Sequence, residues 1–121
     1  MQYSRREEPF RYTFAEPLLG EFQVIRANGM DVESRYGLLK IMDLSFHGAK
    51  IRTGLNFRTK RNKVELMLHF RIVSQVFTIP GHIVYQIPDG AEFIYGLHLN
   101  TDHATRELLT QELKAYARLI G

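Results

Sequence analysis

The alternation of side chains between residues 64 and 72 constrains the fold of this chain more than any other feature. Apolar residues take every second position, separated by mostly polar ones: Val64, Leu66, Leu68, Phe70 and Ile72. A period of two places one set of side chains on each face of an extended segment, so the pattern predicts a half-buried β-strand. We therefore expect a sheet with one face turned to a core.

Other short apolar runs predict further strands, at residues 21–26, 38–42, 49–53, 76–87 and 93–99. Within the fourth run, Pro80-Gly81 predicts a bend, because proline removes a ladder donor and glycine tolerates a bulge. Glycine and proline also separate the runs, which is typical of a small antiparallel barrel that closes its edges by curling the sheet. The predicted class is mainly β.

The period changes from two to that of a helix near the carboxyl end. Residues 100–102 supply N-cap candidates, and apolar side chains then recur at helical spacing: Leu109, Leu113, Tyr116 and Ile120. We expect one closing α-helix packed on the barrel. The predicted organisation is a single domain over residues 1–121, with an arm at 1–13, a β-barrel at 14–100 and a helix at 101–120.

Composition narrows the class of protein. The 121 residues suffice for about one domain, and 45% hydrophobic with 24% charged residues is usual for a folded chain. No cysteine is present, so neither a disulfide nor a thiolate metal site is possible. Neither a signal peptide nor an apolar run of about 20 residues appears, so we expect a cytoplasmic protein without a membrane span. A net charge of +3 permits an anionic ligand.

A polar turn lies between two of the predicted strands, with the sequence Asp43-Leu44-Ser45-Phe46-His47-Gly48. Side chains alternate along an extended segment, so Leu44 and Phe46 can point inward while Asp43 and Ser45 point to the opposite face. An ionised carboxylate only accepts hydrogen bonds, which suits the N–H groups of a guanine edge, and Gly48 permits a positive φ or close approach of a ligand. The alternative is an ordinary turn whose polar side chains satisfy local amides.

Three arginines precede the first predicted strand: Arg5, Arg6 and Arg11. The guanidinium group both forks onto phosphate and stacks on aromatic bases. The segment is polar and contains Pro9, so we predict a flexible arm outside the core. The alternative is a solvated amino terminus.

The arginine arm and the turn together resemble the PilZ domain family, whose pattern is R-x-x-x-R followed some tens of residues later by D/N-x-S-x-x-G. Asp43, Ser45 and Gly48 match the second motif, and Gly96 matches a glycine of a late strand. The resemblance covers nearly the whole chain, including the terminal helix. It implies a split β-barrel that acts as a bacterial receptor for cyclic di-GMP in motility or biofilm regulation.

The resemblance also implies roles for individual residues. Arg6 and Arg11, supported by Arg5, are expected to bind the phosphates and stack on guanine. Asp43 and Ser45 are expected to contact the guanine or nearby groups, with Gly48 in support. Ligand would draw the arm onto the barrel and create a surface for an unidentified protein partner, with a homodimer also open. No catalytic residue, metal or cofactor is expected, so the chain is not predicted to be an enzyme.

Two alternatives remain. Four residues separate Arg6 from Arg11, one more than the family pattern has, which favours an adaptor that has lost nucleotide binding and acts through protein partners. The third hypothesis is a nucleic-acid-binding barrel, based on a basic cluster of Arg58, Lys60, Arg61 and Lys63. Such a run is more often a solvated loop, so nucleic acid is not the expected partner.

Overall fold

Residues 11–120 are described in a computed structural model of the chain. They form seven β-strands and one α-helix. In chain order the elements are β1 (Arg11–Ala27), β2 (Met30–Asp31), β3 (Gly37–Ser45), β4 (Gly48–Thr53), β5 (Val64–Arg71), β6 (Val76–Asp89), β7 (Glu92–Leu99) and α1 (His103–Ile120).

The six longer strands close into an antiparallel barrel. Neighbours in the sheet run in the order β2-β1-β3-β4-β7-β6-β5, and β5 pairs back onto β1. The short β2 pairs only with the end of β1, through Arg26↔Asp31 and Ala27↔Met30. A mainly β barrel with a carboxyl-terminal helix is therefore confirmed. Closure leaves none of the six barrel strands as a free edge, which protects the sheet from pairing with other chains.

The alternating strand predicted from the sequence is β5, and its apolar face lines the core. Leu66 and Leu68 are completely buried, whereas Glu65 and Arg71 are exposed. The core continues through the inward faces of the other strands and includes the aromatic rings of Phe14, Phe22, Phe57, Phe70, Phe77 and Tyr95. Burial of these large apolar side chains is the main force that holds the strands together.

The predicted bend at Pro80-Gly81 is wrong in position. Both residues stay in register with β5, through Met67↔Pro80 and Leu66↔Gly81. The register shift in β6 comes later, between Ile83 and Tyr85 in the pairing with β7. The Pro80 carbonyl accepts from the Asn100 amide at 2.9 Å, beyond the end of β7. Because the N–H and C=O of one extended residue point to the same side, the donor that Pro80 lacks would also face beyond β7, and no bond of the β5 ladder is lost.

The first strand begins within the segment that the sequence assigned to the arm. Arg11 pairs with Ser45 and Thr13 with Asp43, followed by a register shift between Thr13 and Leu18. Arg11 is therefore a barrel residue, positioned directly beside the polar turn. Arg5 and Arg6 lie outside the described residues.

Helix α1 begins after Asp102, one of the three N-cap candidates. The Asp102 carboxylate accepts a hydrogen bond from the amide of Thr105 at 2.8 Å, and bonds from the Thr105 side chain and amide hold the Asp102 pKa below its ordinary value. Leu109 and Leu113 are buried against the barrel, whereas Ile120 remains exposed. No helix within residues 11–120 is long and apolar enough to cross a membrane.

A buried carboxylate fixes α1 to the turn between β5 and β6. Glu112 is only 7% exposed. Its Oε1 accepts from the amides of Val73, Ser74 and Gln75 at 3.0, 2.8 and 2.9 Å, and its Oε2 accepts from the Ser74 hydroxyl at 3.1 Å. Burial acts to raise the Glu112 pKa, but these four hydrogen bonds outweigh it and lower that pKa.

Candidate functional site

The polar turn joins β3 to β4, and its hydroxyl and glycine pack against each other. Ser45 is 1% exposed, and its hydroxyl donates to the Gly48 carbonyl at 3.4 Å. A Cβ on Gly48 would lie 3.2 Å from Ser45 Oγ, so the glycine permits a close approach of the two strand ends. Among the described glycines, Gly29 and Gly90 have a positive φ. Gly48 does not, so the positive φ that the sequence allowed at this position is not used.

Asp43 is the anionic centre of the site and is buried, with 6% exposure. Its Oδ1 accepts from Arg11 Nη1 at 2.5 Å, and its Oδ2 lies 3.9 Å from Lys50 Nζ. Strand pairing makes this cluster: Asp43 faces Lys50 on β4 and Thr13 on β1, two residues from Arg11. Burial of a carboxylate is tolerated here because two cations surround it.

An open groove of about 590 Å³ lies beside this cluster. We call it the hairpin groove; its lining comprises Arg11, residues 47–50, Val84, Tyr85 and residues 96–98. The Arg11 and Lys50 side chains remain 41% and 40% exposed, so both cations are accessible to a ligand. The size falls in the usual range for small-molecule sites. The groove therefore combines two accessible cations with apolar surface, and the buried Asp43 carboxylate lies behind those cations.

Tyr85 forms one wall of the hairpin groove, because its ring lies across Gly96 on the neighbouring strand. A Cβ on Gly96 would fall 1.9 Å from Tyr85 Cε2, so only glycine leaves room for the ring. The two residues are paired in the β6–β7 ladder, immediately after the register shift that follows Ile83. The shift sets which residue of β6 faces the groove. Tyr85 remains 41% exposed and can offer a ring face to a ligand.

Two imidazoles line the groove, those of His47 and His98, and a third lies next to them. The His47 and His98 rings are stacked with centroids 6.2 Å apart, and the His82 ring lies 5.2 Å from that of His98. Within residues 11–120 no group of three or more histidine, aspartate or glutamate side chains is placed to hold a metal ion. His98 is exposed on its strand.

The turn is also tied to the segment that leads into α1. The amide of Leu99 donates to the His47 carbonyl at 2.8 Å, and the Thr101 hydroxyl donates to the Phe46 carbonyl at 2.7 Å. On the other side of the barrel wall, Tyr12 packs edge-on against Tyr116 of the helix with centroids 5.9 Å apart. The site and the helix thus share rigid contacts.

The structure brings together four of the six predicted site residues: Arg11, Asp43, Ser45 and Gly48. Arg5 and Arg6 lie outside the described residues, so their roles stay predictions. Sequence reasoning missed Lys50 and Tyr85. Lys50 could have been found by pairing residues backward from the turn, which sets Asp43 opposite Lys50. Tyr85 carried no such signal, because a register shift inside β6 decides its position.

Comparison with known proteins agrees with this architecture. A family model described as the PilZ domain matches residues 5–115. No curated protein matches the chain. The match spans the arginine segment, all seven strands and most of α1. Because one family model covers nearly the whole chain, including the first strand, the polar turn and most of the terminal helix, the chain belongs to the PilZ domain family.

Proposed function

We propose that this protein is a receptor for cyclic di-GMP that signals to a protein partner. The PilZ family is in general a family of cyclic di-GMP receptors. The observation that carries the proposal is the convergence of Arg11, Asp43 and Lys50 from three neighbouring strands, with Arg11 and Lys50 in the lining of the hairpin groove. Cations beside a buried acceptor suit a ligand that is both a phosphodiester and a guanine nucleotide.

Each group has a chemical task in this proposal. The exposed Arg11 and Lys50 side chains supply positive charge for the phosphates, and arginine can also stack on a base. The Asp43 carboxylate has free lone pairs for guanine N–H donors, since it accepts a single hydrogen bond at Oδ1 among the described residues. The Tyr85 ring supplies a flat apolar face for a base.

Binding would act through the segment before β1. Arg5 and Arg6 stay predicted phosphate ligands, and contacts made by them together with Arg11 would favour one conformation of that segment over others. The signal produced by ligand binding would be this change in the population of conformations, and not the product of a reaction. A protein partner would then read the surface formed around the groove and α1.

One observation favours a second candidate, an adaptor without nucleotide binding. The Arg11 guanidinium is already engaged by Asp43, and the spacing from Arg6 to Arg11 is one residue longer than the family pattern. A ligand must therefore compete with, or add to, an existing ion pair. The two candidates predict opposite results in one titration.

Isothermal titration with cyclic di-GMP at near-physiological salt tests the proposal, with cyclic di-AMP and GTP as controls. We expect selective binding with a Kd of about 1 μM or tighter, which corresponds to about −8 kcal/mol. Arg11→Ala should weaken it at least about tenfold, a loss of about 1.4 kcal/mol. Arg35→Ala is the matched control, because Arg35 is exposed in the segment before β3 and should leave the Kd unchanged. Absence of heat up to millimolar ligand would favour the adaptor.

A further inference from the structure

The loop between β4 and β5 carries a concentrated positive charge that the hairpin groove does not use. We call residues 54–63 the basic loop; its exposed cations are Arg58, Lys60, Arg61 and Lys63. None of these four forms an ion pair with any residue in the range 11–120, whereas the acids nearest in the sheet are paired: Glu65 with Arg26 and Asp89 with Arg52. The charge is therefore available to an outside partner.

The basic loop is held rigidly by the barrel. The buried Tyr95 hydroxyl donates to the Leu55 carbonyl at 2.7 Å and accepts from the Phe57 amide at 2.9 Å. Gln86 on β6 accepts at one oxygen from both the amide and the hydroxyl of Thr59, at 3.0 and 2.9 Å. A binding surface that is ordered before its partner arrives loses less conformational entropy on association.

Around the cations, at residues 57–63, every backbone amide except that of Lys60 is already used inside the fold. Arg58 donates to the Asn56 side chain at 3.0 Å and Lys63 to the Asn28 side chain at 2.9 Å. The amides of Arg61 and Asn62 both donate to the Arg58 carbonyl, at 2.9 and 3.0 Å. No run of free amides is left here to form a phosphate nest. Recognition at this surface must come from side-chain cations and apolar contact.

A groove of about 460 Å³ adjoins the loop and supplies that apolar contact. This loop groove has a cationic rim of Arg58, Lys60 and Arg61, and a floor formed by Pro88 and the half-buried Phe93. The loop's own aromatic residue, Phe57, is buried at 8% exposure and offers no stacking platform for a base. Single-stranded nucleic acid binders stack successive bases on several exposed aromatic rings, whereas the lining of the loop groove has one ring, the half-buried Phe93, so the surface is a poor match for that class.

We infer that the loop groove docks an acidic segment of a partner protein, with one apolar side chain of that segment seated on Phe93 and Pro88. Carboxylates on the segment complement the rim of Arg58, Lys60 and Arg61. The acidic segment would belong to the protein partner of the proposed receptor, but its docking does not require nucleotide binding. The two grooves share strand β7: Phe93 lines the loop groove, and Gly96, three residues later, lines the hairpin groove.

Fluorescence anisotropy with a labelled peptide tests the inference on the full chain. The probe is a twelve-residue peptide of alternating glutamate and phenylalanine or leucine; a second probe replaces its apolar residues with serine, and a third is single-stranded DNA of equal charge. We expect saturable binding of the first probe, at least about tenfold weaker binding of the second, and steep weakening with salt. Lys60→Glu with Arg61→Glu should abolish binding.

The matched control is Lys114→Glu with Arg118→Glu, which reverses the same number of charges at exposed positions of α1, on the helix that contacts the far end of β5. If both double variants lose the peptide equally, net charge and not the loop groove is responsible, and the inference is wrong. Tighter binding of the DNA, lost in Lys60→Glu with Arg61→Glu, would overturn it in favour of a nucleic acid. Arg11→Ala should leave peptide binding intact, which separates this test from that of the receptor proposal. Circular dichroism of each variant verifies that the barrel is folded.

Discussion

Arg11 on β1 and Asp43 on β3 form a close ion pair, with Nη1 2.5 Å from Oδ1, across the wall of the barrel. The Asp43 side chain is only 8% exposed, whereas that of Arg11 is 41% exposed. The ion pair therefore contributes more to stabilising the charge of Asp43 than that of Arg11, which water also solvates. This asymmetry leads to the first prediction.

Asp43→Asn should destabilise the barrel by about 1–2 kcal/mol, because the amide keeps the shape but loses a charge-assisted bond to Arg11. Urea unfolding at pH 7 measures the change. Asp31→Asn is the control, since its side chain is 90% exposed and its ion pair with Arg26 spans 3.5 Å, so little change is expected. Equal losses in the two variants would contradict the proposed importance of burial at Asp43.

Gly96→Ala should displace the Tyr85 ring, because a Cβ there would lie 1.9 Å from Tyr85 Cε2. We expect a loss of about 1–3 kcal/mol in the free energy of unfolding, as for other overpacked sites. Tyr85→Ala should relieve most of that cost, so a double-mutant cycle should show strong coupling. Gly54→Ala is the control, with no atom within 4 Å of the added Cβ. Additive losses at positions 96 and 85 would show that the clash is not the cause.

Glu112→Gln should weaken the attachment of α1 to the β5–β6 turn. The carboxylate accepts three backbone amides and one hydroxyl, so its neutral replacement should cost about 1–3 kcal/mol at pH 7. These bonds hold the Glu112 pKa below its ordinary value of 4.5. The stabilisation is therefore complete above about pH 4.5 and is lost as the pH falls through the lower pKa of the folded protein.

The measurement for Glu112 is chemical unfolding of both proteins from pH 7 to pH 3. The difference between wild type and Glu112→Gln should shrink as the acid protonates the native carboxylate. Glu107→Gln, an exposed position of the same helix, should show no comparable difference at any pH. A gap between wild type and Glu112→Gln that stays constant with pH would refute the role of the charge.

Tyr95→Phe should loosen the basic loop while leaving the core filled. Removal of the hydroxyl leaves the Leu55 carbonyl and the Phe57 amide without their partner, at a cost of about 1–3 kcal/mol. Hydrogen exchange at the Phe57 amide should accelerate, and the acidic peptide should bind more weakly. Tyr36→Phe is a control, because Tyr36 is 59% exposed. Burial raises the Tyr95 pKa, so in an absorbance titration the phenol should ionise at a higher pH than that of an exposed tyrosine.

Local pattern was enough to predict most of the elements. Alternation predicted β5, the apolar runs predicted β3 and β4 on either side of the polar turn, and Asp102 ended up as the N-cap of α1. These features depend on side-chain period and on turn or cap chemistry, which a short window of sequence contains. The location of the bulge in β6 was missed, because a register shift depends on both neighbouring strands.

The residues of the site also fall into two groups, those that could be recognised from the sequence and those that could not. Asp43, Ser45 and Gly48 could be recognised from sequence because a hairpin turn keeps its residues close in the chain, and the arginines were recognised as anion-binding groups. The partners that come from distant strands could not be placed. Arg11 reaches Asp43 through the β1–β3 ladder, and Tyr85 reaches Gly96 through the β6–β7 ladder.

A mainly β barrel with one closing helix, and the turn that carries the acid, hydroxyl and glycine, thus follow from local patterns in the sequence. Three other features depend on the closed fold: Lys50 and Tyr85 complete the hairpin groove, Glu112 binds the β5–β6 turn, and Tyr95 and Gln86 order the basic loop. The physical reason is that closing a barrel fixes the register of every strand against two neighbours. Side chains far apart in the chain are placed by that closure and not by their local sequence.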